Sequence, residues 1–255
     1  MDNTGHGPDG QAELAQRALP EELAELVGEV SEAPPTPSRR RRLTARFSRL
    51  VRTGRAGLHR AQLSGRWLTA EVLAMAPRLP VRDQQRLRAQ FPGLGPEELA
   101  DALVQRSARA AAFVGATVGA AMVLPLPSAP VEVAVETLAL VGIEIKLVAE
   151  LHEAYGMRAP GSPAERMLAY VAAWAHRRGV AVAPAGLVLA VGSPLRRRLQ
   201  RRLLIRAGRS AISLGPLLTG ATAGAILNRR ETRHLGNDVR DDLRQRSPYP
   251  THWAG

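Results

Sequence analysis

The chain has 255 residues, of which 45% are apolar and only 4% aromatic, and it contains no cysteine. Such a chain can bury a large core, and a core of Ala, Val and Leu rather than aromatic rings suits helices better than sheets. The missing cysteines exclude disulfide scaffolds, thiol nucleophiles and cysteine-ligated metal sites, and they fit a reducing compartment.

The formal net charge is +12, and Lys146 is the only lysine, so the positive charge is carried by arginine. A charge of this size indicates an anionic partner, either anionic lipid or nucleic acid. The same composition is typical of a GC-rich genome, in which arginine replaces lysine on ordinary surfaces. Both interpretations stay open at this point.

The first 37 residues are acidic, with eight Asp and Glu side chains against the single Arg17, and they end in the proline-rich run 33–37. This composition predicts a disordered acidic tail over residues 1–37, within which one short helix could begin at Pro20. The first ten residues are polar and lack the basic and apolar regions of a secretory signal. We therefore expect a cytoplasmic protein, peripheral to the inner face of the cell membrane.

Residues 38–80 are predicted to form a helical arm. The arm is strongly basic, because it is rich in arginine and no acidic residue occurs between Glu32 and Glu71. At about 100° per residue, apolar side chains from Leu43 to Ala61 share one stripe, as in a basic amphipathic helix. Its expected contact is anionic lipid, an acidic partner helix or its own domain; nucleic acid is disfavoured because no aromatic platform accompanies the arginines. The candidate lipid- or partner-facing residues are Arg39, Arg40, Arg41, Arg42, Arg46, Arg49 and Arg52.

Proline, glycine and capping signals mark the ends of successive helices within residues 81–246. These helices are predicted to form one compact domain. The clearest start is the capping box of Ser162, Pro163 and Glu165, and Gly156 and Gly179 are natural helix ends. The predicted helices span about 82–90, 97–124, 131–155, 163–179, 194–209 and 216–227, followed by a mixed-charge helix to Arg246 and a tail over 247–255.

Three segments of this region carry no charge: 110–124, 180–192 and 211–227. At about 1.5 Å per residue, none of them comfortably crosses the ~30 Å hydrocarbon core of a bilayer. We therefore expect short apolar helices that either build a close-packed core or contact a membrane. Glycines spaced four apart let helix backbones approach closely, and the candidate helix-packing residues are Gly115, Gly119, Gly220 and Gly224.

A second basic amphipathic helix is predicted after Pro194, where arginines surround leucines at 195, 199 and 203. Together with the arm, it would give the protein a positively charged face toward anionic lipid. The candidate basic residues of this helix are Arg196, Arg197, Arg198, Arg201 and Arg202.

Glu144 is the candidate functional carboxylate. In the helix predicted over 131–155, the other charged side chains share a polar face, with Lys146 and Glu150 at ion-pair spacing, whereas Glu144 lies among leucines and valines. A carboxylate in that position is costly unless it is paired or protonated. It is therefore either a functional or partner-binding group, or one half of an internal salt bridge to an arginine of the 196–209 helix.

Several glycine- and proline-containing motifs occur in a fixed order between residues 99 and 246. The motifs are Gly115-Ala-Thr-Val-Gly119, Leu124-Pro-Leu-Pro127, a long helix ending in Ala154-Tyr155-Gly156, and Leu214-Gly-Pro-Leu-Leu-Thr-Gly-Ala-Thr-Ala-Gly224 followed by Asn228 and Thr232-Arg-His-Leu-Gly236. This order of motifs resembles the EcsC family. The resemblance implies an α-helical, membrane-associated domain with no agreed biochemical activity.

The sequence contains no catalytic or metal-binding motif. The six histidines lack metal-ligand spacing, no Gly-x-Ser-x-Gly elbow occurs, and Lys146 has no glycine-rich phosphate cradle before it. We therefore expect a protein that is not an enzyme, with no catalytic residue, metal ligand, cofactor or small-molecule substrate.

Two functions of different classes follow. The first is a non-enzymatic membrane-associated helical module, a scaffold or accessory factor at the cytoplasmic membrane face. The alternative is a soluble all-α interaction module whose acidic tail folds back on the arginine-rich arm and is displaced by an acidic protein partner.

Overall fold

The fold is all-α, as predicted, in a computed structural model that describes residues 8–32, 36–58, 65–121, 129–179, 181–182, 189–190 and 216–246. Within these ranges the chain forms eight α-helices, one 3-10 turn at Ala76–Arg78, and two strands of two residues each. The helices are α1 (Pro8–Glu32), α2 (Pro37–Leu58), α3 (Gly65–Met75), α4 (Gln84–Gln90), α5 (Pro96–Ala121), α6 (Ala129–Ala154), α7 (Pro163–Arg177) and α8 (Pro216–Arg246).

Helix α6 is the centre of the fold. Every residue from 132 to 151 is buried, and α6 contacts all seven other described helices. Its sequence explains this position, because Val, Leu, Ile and Ala occur on all sides of the helix. The polar face predicted for this helix is therefore buried as well, which is the main departure of the fold from our expectation.

The acidic segment at the start of the chain is wrongly predicted as disordered over residues 17–32. These residues belong to α1, which runs through Pro20 instead of beginning there. Six apolar side chains of α1 are buried against the rest of the protein, and burial on this scale stabilises a helix that is marginal on its own. They are Leu19, Leu23, Ala24, Leu26, Val27 and Val30.

Helix α2 is amphipathic, as its spacing predicts. Leu43, Phe47, Leu50 and Val51 are buried, and they pack toward α1 and α6. A single hydrophobic cluster includes these side chains together with those of α1, α3 and α5 to α8. This cluster includes side chains from both sides of the boundaries that we predicted near residues 37 and 80.

Helices α5 and α8 form the most extensive helix pair of the described elements, and they run antiparallel. The backbones come closest at Gly115 and Gly224, where a Cβ atom on Gly115 would lie 2.7 Å from the carbonyl oxygen of Gly224. Further along, a Cβ atom on Gly236 would lie 2.7 Å from the side chain of Val104. Small residues are required here because a side chain at either level would force the two helices apart.

Two other parts of the chain differ from the prediction. Helix α8 is continuous from Pro216 to Arg246, whereas the sequence suggested two helices. The charge-free segment 180–192 contains a short antiparallel ladder that pairs Ala181 with Ala190 and Val182 with Leu189. The arginine-rich helix predicted over 194–209, like the tail at 247–255, lies outside the described residues.

The capping box is confirmed. The Ser162 hydroxyl accepts from the Glu165 backbone N–H at 3.3 Å, and the Glu165 carboxylate accepts from the Ser162 N–H at 2.7 Å. Gly156 and Gly179 follow α6 and α7 with φ values of +65°, the left-handed conformation that favours glycine at a helix end. Across the described part of the chain, no helix combines the length and the apolar character needed to cross a membrane.

The close approach of α5 and α8 can be tested at Gly115. Replacing an ordinary helical glycine by alanine stabilises a helix by about 0.5 to 1 kcal/mol. We expect Gly115→Ala to do the opposite and to lower the free energy of unfolding by about 1 to 3 kcal/mol, because the new methyl group meets the Gly224 backbone. Urea denaturation measures this, with the exposed Gln105→Ala in the same helix as control. A stabilised Gly115→Ala variant would contradict the packing.

Candidate functional site

The site with the most unusual chemistry is the set of charged side chains buried along α6. Six ionisable groups of this helix are each at most 6% exposed. Burying charges is costly unless each one is paired and hydrogen-bonded, so the partners of these groups determine what the site can do. They are Glu132, Glu136, Glu144, Lys146, Glu150 and Glu153.

Glu150 is the best-connected of these carboxylates. Arg82, which precedes α4, donates from Nε to Oε1 at 2.8 Å and from Nη2 to Oε2 at 2.6 Å, and Lys146 forms an ion pair with the same carboxylate one turn away. Burial acts to raise the pKa of Glu150, but the charges of Lys146 and Arg82 outweigh it, and the pKa lies below its ordinary value. Burial lowers the pKa of the Lys146 ammonium. Both Lys146 and Glu150 are thus engaged with protein partners.

Glu144, the candidate functional carboxylate, is also paired inside the protein. Trp174 of α7 donates from Nε1 to its Oε2 at 2.8 Å, and Arg178 donates from Nε to the same oxygen at 2.9 Å and pairs through Nη2 with Oε1. The prediction of an internal salt bridge is therefore confirmed, but its arginine is Arg178, at the end of α7, and not one from the 196–209 segment. Glu144 ties α7 to α6, which makes it a structural group.

Two further carboxylates of α6, Glu153 and Glu136, have partners in neighbouring parts of the chain. Glu153 accepts from the backbone N–H of Gln84 at 3.3 Å and from Nε of Arg158 at 2.7 Å. Glu136 accepts from Nδ2 of Asn228 at 3.2 Å, next to the contact between Gly115 and Gly224. The buried charges of α6 therefore connect it to α4, α7 and α8.

A second cluster of charges lies near the surface where α5 and α8 meet. Arg244 donates to both oxygens of Glu97 at 2.9 and 2.6 Å, Arg240 donates at 2.9 Å, and the Tyr155 hydroxyl donates at 2.8 Å. The hydrogen bond from Arg244 is the largest reason why the pKa of Glu97 falls to about 2. Such a carboxylate stays ionised and holds the two helices together, but it is not suited to proton transfer.

Glu71 is the exception among the buried carboxylates. It lies on α3, is 6% exposed, and its Oε2 has no hydrogen-bond partner. Burial raises the pKa of Glu71 to about 7. Sequence reasoning missed this residue, although it is the first acid after a long basic segment. Among the described carboxyl groups whose pKa is shifted, that of Glu71 is the one that a change of pH near neutrality would affect.

The predicted basic residues of α2 fall into two groups. Arg39 and Arg46 turn toward α1, where Arg46 pairs with Glu25 and Glu29, and Arg39 donates to the Glu29 carbonyl at 2.7 Å. The other group lies on the exposed side of the helix and consists of Arg41, Arg42, Arg49 and Arg52. It is called the outward arginine face below. Arg40 is exposed as well but is not counted in this face.

Not every predicted site residue is placed. Gly115 and Gly224 contact each other, as described above. Gly119 and Gly220 lie one turn further along the same two helices, and the surroundings of these two glycines are outside what the structure describes. The second basic group, Arg196, Arg197, Arg198, Arg201 and Arg202, falls in the undescribed segment 191–215. No group of three or more His, Cys, Asp or Glu side chains that could hold a metal ion occurs among the described residues.

Comparisons with known proteins give no match: no family model fits the sequence, and no curated protein or solved structure is significantly similar to it. The resemblance to the EcsC family stays a prediction that rests on the motifs alone.

The Glu144 pair gives a test of the buried charges. We expect Arg178→Gln to lower the free energy of unfolding by about 3 to 5 kcal/mol, because it leaves Glu144 buried without its counter-charge. Arg246→Gln is the control, since it breaks an exposed pair with Asp242 and should cost at most about 1 kcal/mol. Urea denaturation of both variants measures the difference. Equal losses would contradict the assignment of Glu144 as an internal anchor.

Glu71 predicts how stability depends on pH. Its folded pKa of about 7 lies above the ordinary value of 4.5, so the folded protein holds a proton that the unfolded chain releases. The contribution of this group is therefore complete below pH 4.5 and is lost as the pH rises through 7. In the wild type, we expect this group to lower the free energy of unfolding by about 1 to 3 kcal/mol between pH 4.5 and pH 7. Glu71→Gln should remove that decline.

Denaturant unfolding at several pH values measures this effect, with Glu21→Gln on the exposed side of α1 as control. The wild type and the control should lose stability in parallel over that range. A Glu71→Gln variant that declines just as steeply would show that Glu71 is not the titrating group.

Proposed function

We propose that this protein is a non-enzymatic helical module that associates with the anionic cytoplasmic face of the cell membrane, as a scaffold or accessory factor. The observation that carries the proposal is the outward arginine face of α2. Four arginines lie exposed on one helix side while the opposite side is anchored in the core. A rigidly held basic surface of this kind matches the phosphates of an anionic lipid layer.

The charges around this face support a lipid surface as its partner. The sequence has no acidic residue between Glu32 and Glu71, so α2 itself contributes nothing that would repel a phosphate. The acids of α1 are directed at Arg39 and Arg46, on the side of α2 that faces α1. Each arginine near an anionic membrane contributes about 1 kcal/mol, so the four together are sufficient for salt-sensitive binding.

The buried charges support a non-enzymatic role. Lys146, Glu144 and Glu150 are occupied by ion pairs within the protein, and the shift of Glu97 keeps it ionised. A catalytic acid or base needs an accessible proton and a pKa near the working pH. The paired groups of α6 lack that access and serve to hold the helices in place.

The alternative function, a soluble interaction module with an autoinhibitory acidic tail, is favoured by one observation and opposed by another. The acidic segment does fold onto the arginine-rich helix, with Glu25 and Glu29 on Arg46. However, releasing α1 would also expose its buried Leu and Val side chains, at about 1.5 to 3 kcal/mol each. That cost rivals the whole stability of a typical domain, so α1 is better described as a permanent helix than as a displaceable tail.

Vesicle flotation of the full chain tests the proposal. We expect binding that increases with the phosphatidylserine content of phosphatidylcholine vesicles and weakens as salt is raised. Replacing the outward arginine face by glutamine (Arg41, Arg42, Arg49 and Arg52) should reduce the affinity at least about tenfold, since each arginine contributes independently to the attraction.

The matched control removes the same number of charges from exposed positions elsewhere in the chain, by changing Arg66, Arg78, Arg86 and Arg88 to glutamine. It should bind nearly as well as the wild type. Equal loss in both variants would mean that net charge, and not the face of α2, attracts the protein. No binding to any vesicle would refute the proposed function, and binding of an acidic peptide in its place would favour the alternative.

A further inference from the structure

Arg46 lies at the edge of the outward arginine face of α2. At about 100° per residue, its neighbours on the helix surface are Arg42, four residues before it, and Arg49, three residues after it. Residues at these spacings have Cβ atoms about 5 to 6 Å apart. Arg46 therefore stands next to two members of the face without belonging to it.

Arg46 is kept out of the face because α1 holds it. Its Nη1 donates to Oε1 of Glu29 at 2.5 Å, and its Nη2 pairs with the carboxylate of Glu25. Two carboxylates on one guanidinium leave an excess of one negative charge. The Arg46 side chain is 26% exposed, whereas those of Glu25 and Glu29 are 57% and 45% exposed. The excess negative charge therefore lies at the surface of the protein.

The same pairing is repeated toward the start of α2. Arg39 donates from Nη2 to the Glu29 carbonyl oxygen at 2.7 Å, and this nitrogen lies 3.7 Å from Oε2 of Glu32. Helices α1 and α2 thus run antiparallel, and the acids follow the edge of the arginine face along α2. We call Glu25, Glu29 and Glu32 together the acidic flank of α2. Its three carboxylates outnumber the two arginines that they hold, Arg39 and Arg46, by one.

The acidic flank lies close enough to the arginine face to affect what the face binds. Adjacent helices pack with their axes about 8 to 10 Å apart, which is comparable with the Debye length of about 8 Å at physiological salt. A lipid phosphate that approaches Arg42 or Arg49 is therefore also repelled by the flank. The repulsion is smaller than the attraction, since the four arginines of the face exceed the one excess negative charge of the flank.

We propose that Glu25 and Glu29 are specificity-determining residues of the membrane-binding surface. They hold Arg46 away from the lipid and place a negative charge beside Arg42 and Arg49, so that the protein binds only a membrane rich in anionic lipid. This inference rests on the proposed function and deepens it. The outward arginine face supplies the attraction, and the acidic flank sets the anionic lipid content at which that attraction is sufficient.

Vesicle binding of the full chain with Glu25→Gln and Glu29→Gln combined tests the proposal. This variant releases Arg46 and removes two negative charges, so we expect half-maximal binding at a lower phosphatidylserine content than in the wild type. At the content at which half of the wild type is bound, the affinity should rise about fivefold or more, which corresponds to the roughly 1 kcal/mol contributed by one arginine. The ratio of the two affinities should approach one as salt is raised.

The matched control removes two negative charges from other helices, by changing Glu98 on α5 to glutamine and Asp241 on α8 to asparagine. Both side chains are exposed, so the net charge changes by the same amount while α1 and α2 stay intact. The control should bind nearly like the wild type. An equal gain in both variants would mean that net charge sets the required lipid content, and it would overturn the inference.

A further change at Arg46 separates the release of this arginine from the removal of negative charge. Arg46→Gln should weaken binding at least about twofold more in the variant that lacks the Glu25 and Glu29 charges than in the wild type, because only a released Arg46 reaches a phosphate. Equal losses in both backgrounds would overturn the inference.

Thermal unfolding checks that the acid variant stays folded. Its ion pairs are partly exposed, and α1 is anchored by buried apolar side chains, so the unfolding temperature should stay close to that of the wild type. Glu25→Gln alone leaves Glu29 on Arg46 and should shift the required phosphatidylserine content in the same direction, by less.

The outcomes separate this inference from the proposed function. If the wild type binds phosphatidylserine-containing vesicles and the variant without the Glu25 and Glu29 charges binds them identically, the inference alone is overturned. If neither protein binds any vesicle, both are overturned. A gain on pure phosphatidylcholine vesicles as large as that on phosphatidylserine-containing ones would assign the effect to apolar surface and not to released charge, and it would also overturn the inference.

Discussion

The fold depends on the complete enclosure of α6, a helix that brings six ionisable side chains into the interior. An unpaired charge in that position would cost several kcal/mol, so the elements around α6 have to supply matching groups. Arg82 and Arg178 supply such groups from the segments beside α4 and α7, and Asn228 supplies one from α8. The ion pairs therefore select one arrangement of helices around α6, while the apolar side chains provide most of the stability.

The same enclosure explains why the chain does not divide at the boundary that its charge suggests. The acidic first segment and the basic second segment have opposite compositions, yet α1 and α2 place their apolar sides in one cluster with α6. Opposite charge helps this, because Glu25 and Glu29 meet Arg46 across the contact. These pairs are partly exposed and contribute little on their own, so they orient two helices that are held by their apolar faces.

Periodicity and capping predicted most of the helices, because these signals depend on neighbours in the sequence. The Ser162 capping box, the apolar stripe of α2 and the approach of Gly115 to a second glycine helix could all be read in this way. The burial of α6 could not, since its carboxylates resemble a solvated face until Arg82 and Arg178 are brought to them by folding. For the same reason the sequence indicated that Glu144 is unusual without identifying its partner. Nothing in the sequence indicated that Oε2 of Glu71 would lack a hydrogen-bond partner.

One detail of the interior affects how the whole surface can be modified. The only lysine of the chain, Lys146, is 2% exposed and engaged with Glu150. Every other basic side chain is a guanidinium or an imidazole. On side chains, acetylation, ubiquitin attachment and amine-reactive cross-linkers act on an accessible lysine ε-amine. The folded protein therefore offers them no accessible lysine, and covalent control of the charge of its surface side chains would act on arginine, histidine, hydroxyl groups or carboxylates.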